Sequence, residues 1–161
     1  MRSAFHDYTK AMLSAKKEKK RLAQGVERNA NLPSNVVTKV NNLKSRIQQG
    51  NLDCAYDLGL MYLEGTEVGY NPDLARQFLE IGAKRNHFNC NYALARFYRG
   101  HWSYQHQDAY KSMIYYANCT KCRNADPNFV REAIRAYNND FGRESTKNGL
   151  QVWFKVDVPI N

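Results

Sequence analysis

The chain has 161 residues, a net charge of +9 and 43% hydrophobic residues, many of them tyrosine, which suffices for one domain with a modest core. No apolar run nears the roughly 20 residues that span a bilayer, and no apolar segment near the start leads into a small-residue cleavage site, so neither a membrane span nor a secretory leader is expected. Four cysteines in such a chain are expected to be reduced thiols, which points to the cytoplasm, or to the nucleus if the cell is eukaryotic.

The charge is uneven: residues 1–50 hold 11 Lys and Arg against 3 Asp and Glu, while the remainder holds 13 against 12. The first predicted element is a helix from Ala4 to about Gln24, with Phe5, Tyr8, Met12 and Ala15 on one side. Inside it, "AKKEKKR" from Ala15 to Arg21 sets Lys16, Lys17, Lys19, Lys20 and Arg21 close together. Three readings stand for this run: a phosphate-contacting arm on nucleic acid, a short nuclear-localisation signal, or a solvated helix face. No aromatic residue is interleaved with it, which weighs against a platform for stacking single strands. "GVERNANLP" then predicts a connecting loop, and Ser34 an N-cap. Val36, Val40, Leu43 and Ile47 follow at helical spacing and make one apolar face. Residues 1–49 thus read as a basic helical segment and a degenerate first unit.

The next stretch nearly repeats itself. "GNLDCAYDLGLMYLEG" (Gly50 to Gly65) carries Gly59 in the middle of a helical pattern, where a glycine costs about 1 kcal/mol relative to alanine. A shift of 36 positions sets Cys54 on Cys90, Leu58 on Leu94, Gly59 on Ala95 and Tyr62 on Tyr98. A shift of 34 sets Ala75 on Ala109, Leu79 on Met113 and Ala83 on Ala117. A period in this range, split into two helical patterns, marks a helix–turn–helix repeat. Gly59/Ala95 and Ala75/Ala109 are then expected where paired helices approach, and the equivalent Cys54 and Cys90 are expected to be small buried residues. Pro72-Asp73 opens the second helix of the first unit. Downstream, Asp126-Pro127 opens a helix with Phe129, Val130, Ala133, Ile134 and Tyr137, a degenerate cap over residues 121–148. "LQVWFKVDVPI" alternates with period two and reads as an extended, strand-like tail over 149–161. It either packs back on its own chain or pairs with another chain, self-association included.

The pattern Ala55…Leu58-Gly59…Met61-Tyr62…Gly65…Val68…Asp73…Ala75…Leu79…Ala83 resembles the Sel-1-like repeat, a short relative of the tetratricopeptide repeat. The likeness covers residues 50–120 as two units. The second is degenerate, with His101-Trp102-Ser103-Tyr104 where the glycine-valine turn stands in the first. The resemblance implies an all-α fold, a short α/α solenoid of antiparallel helix pairs, and an interaction scaffold with no catalytic motif.

In that geometry the first helices of each unit line the inner surface. The register then selects Tyr56, Leu60 and Leu63 from the first unit, with Asp53 and Glu64 beside them. It selects Tyr92, Arg96 and Arg99, beside Asn89, from the second, and Arg131 and Arg135, beside Asn128, from the third. Tyrosine and arginine are enriched at binding hot spots, so a groove for an acidic or mixed-charge protein segment is expected; the alternative is a row of solvated helix faces. Cys119-x-x-Cys122 with His101 and His106 upstream offers zinc-like ligand types in an order unlike the common fingers, and structural cysteines are the preferred account. No G-x-S-x-G, H-E-x-x-H, phosphate-cradling loop or dinucleotide fingerprint is present, so no enzyme and no cofactor are implied. The expected role is a non-catalytic adaptor, an accessory or inhibitory factor docking on a larger protein. The alternative is a nucleic-acid-associated regulator acting through the basic N-terminal third. No membrane partner is expected.

Overall fold

The computed structural model describes residues 4–122 and 125–145, and every regular element among them is a helix. In chain order these are α1 (Ala4–Ala30), α2 (Ser34–Gln48), α3 (Leu52–Glu64), α4 (Pro72–Ala83), α5 (Phe88–Tyr98), α6 (Ala109–Cys119) and α7 (Pro127–Ser145). The period-two tail lies outside the described residues. No helix among the described residues is long and apolar enough to cross a membrane.

From α2 to α7 each helix packs on its neighbours in sequence, most closely α3 on α4 and α5 on α6. Within each of these pairs the contacts run in opposite directions. Tyr62 meets Asn71 and Phe78 while Gly59 meets Ala75 and Leu79; likewise Tyr98 meets Asp108 and Tyr115 while Ala95 meets Ser112. Gly59 is the close approach. A Cβ there would stand 2.7 Å from Leu79 Cγ, inside any real contact, so the glycine trades helix propensity for a tight pair. Ala95 holds the equivalent place in the next pair, fully buried, with its carbonyl accepting the Ser112 hydroxyl at 2.7 Å.

The two pairs repeat contact for contact. Asn51 accepts from the Cys54 amide, and His87, 36 residues on, accepts from Cys90. Asn71 accepts from Leu74, and Asp108, 37 residues on, accepts from Lys111. The amides of Asn71 and Asp108 donate to the carbonyls of Tyr62 and Tyr98 at 2.9 and 2.8 Å. The Tyr62–Phe78 rings stack at 8°, and so do Tyr98 and Tyr115. These contacts correct the register of the second helices: Ala75 corresponds to Ser112, not Ala109, and Leu79 to Tyr116, not Met113. Ala109 is the exposed first residue of α6. The caps and the aromatic pairs set the register, because they fix where each helix starts and which face it buries.

Two apolar clusters form the core. One joins α2–α5 around Leu58, Leu63, Val68, Leu79, Leu94 and Phe97. The other lies between α5, α6 and α7 around Ala95, Tyr116, Cys119, Ala133, Ile134 and Tyr137. Cys54, Cys90, Cys119 and Cys122 are free and buried. Pro33, not Ser34, occupies the N-cap position of α2, and no side chain caps it.

α1 departs from expectation. It runs to Ala30 through the predicted loop, and its apolar side is not its packed side: Tyr8 and Met12 are 64% and 56% exposed. The packed side carries Ser14, Glu18, Leu22, Gly25 and Asn29, spaced at four, four, three and four, and it lies against inter-helix loops. A Cβ on Gly25 would collide with the Tyr70 carbonyl, and one on Gly69 would collide with the Gly25 backbone. Small and polar residues face this contact because loop backbone has amides and carbonyls to satisfy and leaves little room.

Candidate partner-binding surface

Starting from α1, Asn29 donates to the Gly69 carbonyl (3.1 Å) and accepts from its amide (2.7 Å), and Arg28 donates to the Gly65 carbonyl (2.8 Å). Arg21 lies 4.0 Å over the Tyr70 ring and reaches the Leu63 carbonyl at 3.5 Å. Glu18, the one acid in the basic run, is 5% exposed. It accepts from Tyr70 Oη (3.2 Å), Ser103 Oγ (2.5 Å) and the Gln105 amide (3.0 Å). A buried carboxylate persists only when so satisfied. It ties α1 to the α3–α4 and α5–α6 loops at once. Burial pushes the Tyr70 phenol up to about 12.

Beyond Glu18 the network continues. Ser103 Oγ meets His106 Nδ1 at 2.6 Å, and His106 Nε2 meets Asp73 Oδ1 at 2.8 Å. An Asp–His–Ser row invites comparison with a hydrolytic triad, but Ser103 is fully buried and bonded to Glu18. Its hydroxyl is a bridge between loop and helix, out of reach of a substrate. Of the metal-type ligands, His106 is engaged in this row, and His101 lies against Arg96 and edge-on to Trp102. Burial, then the Arg96 charge, hold the His101 imidazole below its ordinary value. Cys119 and Cys122 are buried in the core, with the Cys119 thiol pushed well up by burial. Among the described residues no group of three His, Cys, Asp or Glu is placed to hold a metal ion.

The residues selected for the groove divide. Leu63 is fully buried and offers no surface; it supports the fold beneath Arg21. Arg99 is turned to α7, donating to the Asp140 carbonyl at 3.0 Å with its guanidinium 4.9 Å over Phe141. Tyr56 and Leu60 on α3 are half-buried, as are Tyr92 and Arg96 on α5. Tyr92 stacks on Phe88 and meets Tyr116 edge-on, and Arg96 stands 5.9 Å over Tyr92 and 5.5 Å over Trp102. On α7, Arg131 is half-buried and bonded to Asn128 (3.0 Å), whereas Arg135 is exposed. Sequence reasoning missed Trp102. In sequence it stands in the loop where the second unit departs from the repeat, yet its ring shares Arg96 with Tyr92. Lys16, Lys17, Lys19 and Lys20 are exposed as expected, but Arg21 is committed to Tyr70.

Comparison with known proteins found no match to a family model, to a curated protein or to a solved structure.

Proposed function

We propose that the chain is a short α/α solenoid of the Sel-1-like, tetratricopeptide-related kind, and that it works as a non-catalytic protein-interaction module. The observation that carries this reading is the repetition of the α3–α4 contacts in α5–α6, N-cap for N-cap and ring pair for ring pair. It sets Tyr56 and Tyr92, 36 positions apart, at matching places on successive first helices, each half-exposed. The binding surface is Tyr56, Leu60, Tyr92 and Arg96, extended by Arg131 and Arg135. Tyrosine and arginine there offer rigid apolar area with hydrogen-bonding ends at low entropic cost. The excess of arginine over acid selects an acidic or mixed-charge partner segment, as an accessory or inhibitory factor on a larger protein would present. Four buried free thiols fit a reducing, cytoplasmic setting.

The test is reversal of Arg96 and Arg131 to glutamate, read by capture of a partner from nuclease-treated host lysate. Loss of capture with an unchanged urea midpoint supports the groove, and unchanged capture rejects it.

A further inference from the structure

The basic run lacks interleaved aromatics in sequence, but the fold supplies them in space. An open cleft of about 600 Å³ lies between α1 and the α5–α6 loop, with Lys10, Lys17 and Arg21 on one wall and Trp102 and Tyr104 on the other. We propose that this cleft binds single-stranded nucleic acid, with a base stacked on Tyr104 and the flanking phosphates held by Lys10 and Lys17. It is a second surface, which adjoins the protein groove at Trp102, whose ring lies under Arg96.

Each part has a physical role. Tyr104 is 40% exposed, and an exposed ring on a loop held at both ends is a sequence-tolerant platform, because every base has a π-face. The loop is held on one side by Ser103 and Gln105 bonding Glu18, and on the other by His106 bonding Asp73. The platform is therefore positioned before ligand arrives. Trp102 forms the wall behind it, with Arg96 over its ring and its carbonyl 3.1 Å from Tyr70 Oη. Glu18 also borders the cleft. Its carboxylate is nearly closed to solvent and taken up by three donors, so the charge shown to a ligand is that of the cations. Lys10 and Lys17 are exposed and two turns apart on one side of α1, a spacing of about 10 Å. That spans a nucleotide and its neighbouring phosphate. A single strand fits where a duplex does not, because stacking on Tyr104 requires an unpaired, accessible base.

The experiment uses the full chain and fluorescein-labelled dT12, read by anisotropy across a salt series. A same-length duplex and a poly-glutamate peptide serve as competitors. The expected slope of log affinity against log salt is about −1.4, from the two phosphate contacts of Lys10 and Lys17. Lys10→Glu with Lys17→Glu should weaken binding at least about tenfold, and so should Tyr104→Ala, since stacking carries a comparable share. The charge-matched control, Lys44→Glu with Lys84→Glu on exposed residues that do not line the cleft, should change it less than about twofold, because exposed charges that do not contact the strand are screened. In a Trp153→Phe background, where Trp102 is the remaining tryptophan, dT12 should quench its emission. No binding of dT12 overturns the proposal. So does equal loss in the control pair, which would mean diffuse charge attraction. Preference for duplex, or equal competition by poly-glutamate, overturns it by pointing to another class of ligand.

Discussion

Replacing Gly25 by alanine separates two accounts of α1 by the sign of the effect. If α1 were a solvated helix joined to the body by a loop, alanine would stabilise it by about 1 kcal/mol through helix propensity. In the structure the new Cβ meets the Tyr70 carbonyl oxygen, which belongs to backbone and cannot rotate away. Overpacking against fixed atoms costs about 1–3 kcal/mol. Lifting α1 to relieve it stretches the Asn29–Gly69 pair of hydrogen bonds and the Arg28–Gly65 bond, each worth about 0.5–1.5 kcal/mol. After the propensity gain is subtracted, the net expectation is a loss of about 0–2 kcal/mol if the contact is overpacked in place and about 0.5–3.5 kcal/mol if α1 lifts. Urea unfolding followed by circular dichroism measures it. Limited trypsin digestion, which cuts in the Lys16–Arg21 run once α1 lifts, reports the same event locally. Gly69→Ala should act in the same direction, since its Cβ would meet the Gly25 backbone from the other side. A Gly25→Ala protein that is more stable than the parent and equally resistant to trypsin would refute the packing of α1 on the loops.

Glu18→Ala leaves Ser103 and the Gln105 amide without their buried acceptor; a loss of about 2–4 kcal/mol and faster trypsin cleavage are expected, and an unchanged urea midpoint would contradict the tie. The helix register is tested by a leucine at each candidate position: Ser112→Leu should destabilise by at least about 2 kcal/mol because Ser112 is fully buried against Ala95, whereas exposed Ala109→Leu should be near neutral; the reverse order would restore a spacing of 34. Alkaline pH should destabilise the protein. Burial pushes the Cys90 thiol and the Tyr115 and Tyr70 phenols up to about 12, so the folded state keeps protons that the unfolded state loses from about pH 9 for the thiol and about pH 10 for the phenols. The urea midpoint is therefore expected to hold steady below about pH 9 and to fall from there toward pH 12; a flat profile across that window would contradict the burial.

The parts of the fold that were legible in sequence are those where one residue type has one physical use. Gly59 in a helix meant a close approach, and it is one; Pro72 and Pro127 marked helix starts. The spacing of 36 between first helices was visible because leucine, glycine or alanine, and tyrosine recur on one face. The second helices were misread because small residues were matched to small residues. Asn71 and Asp108 cap them, Phe78 and Tyr115 stack under them, and Ser112 does with a hydroxyl what Ala75 does with a methyl. α1 was opaque for a different reason. Periodicity finds helices that pack apolar faces on a core, and α1 packs Glu18, Gly25 and Asn29 on loop backbone. Leu63 reads as a groove residue in its own helix pattern but is buried in the apolar cluster of α2–α5, and one helix's pattern does not show which of its faces the neighbouring helices cover.

In the proposed role the first helices of two repeated pairs present one surface to a partner protein. Capture from nuclease-treated host lysate by the parent chain and by the Arg96→Glu/Arg131→Glu variant tests it most directly. The parent is expected to retain its partner after nuclease, and the variant to lose it while unfolding at the same urea concentration. Equal capture by both would contradict it.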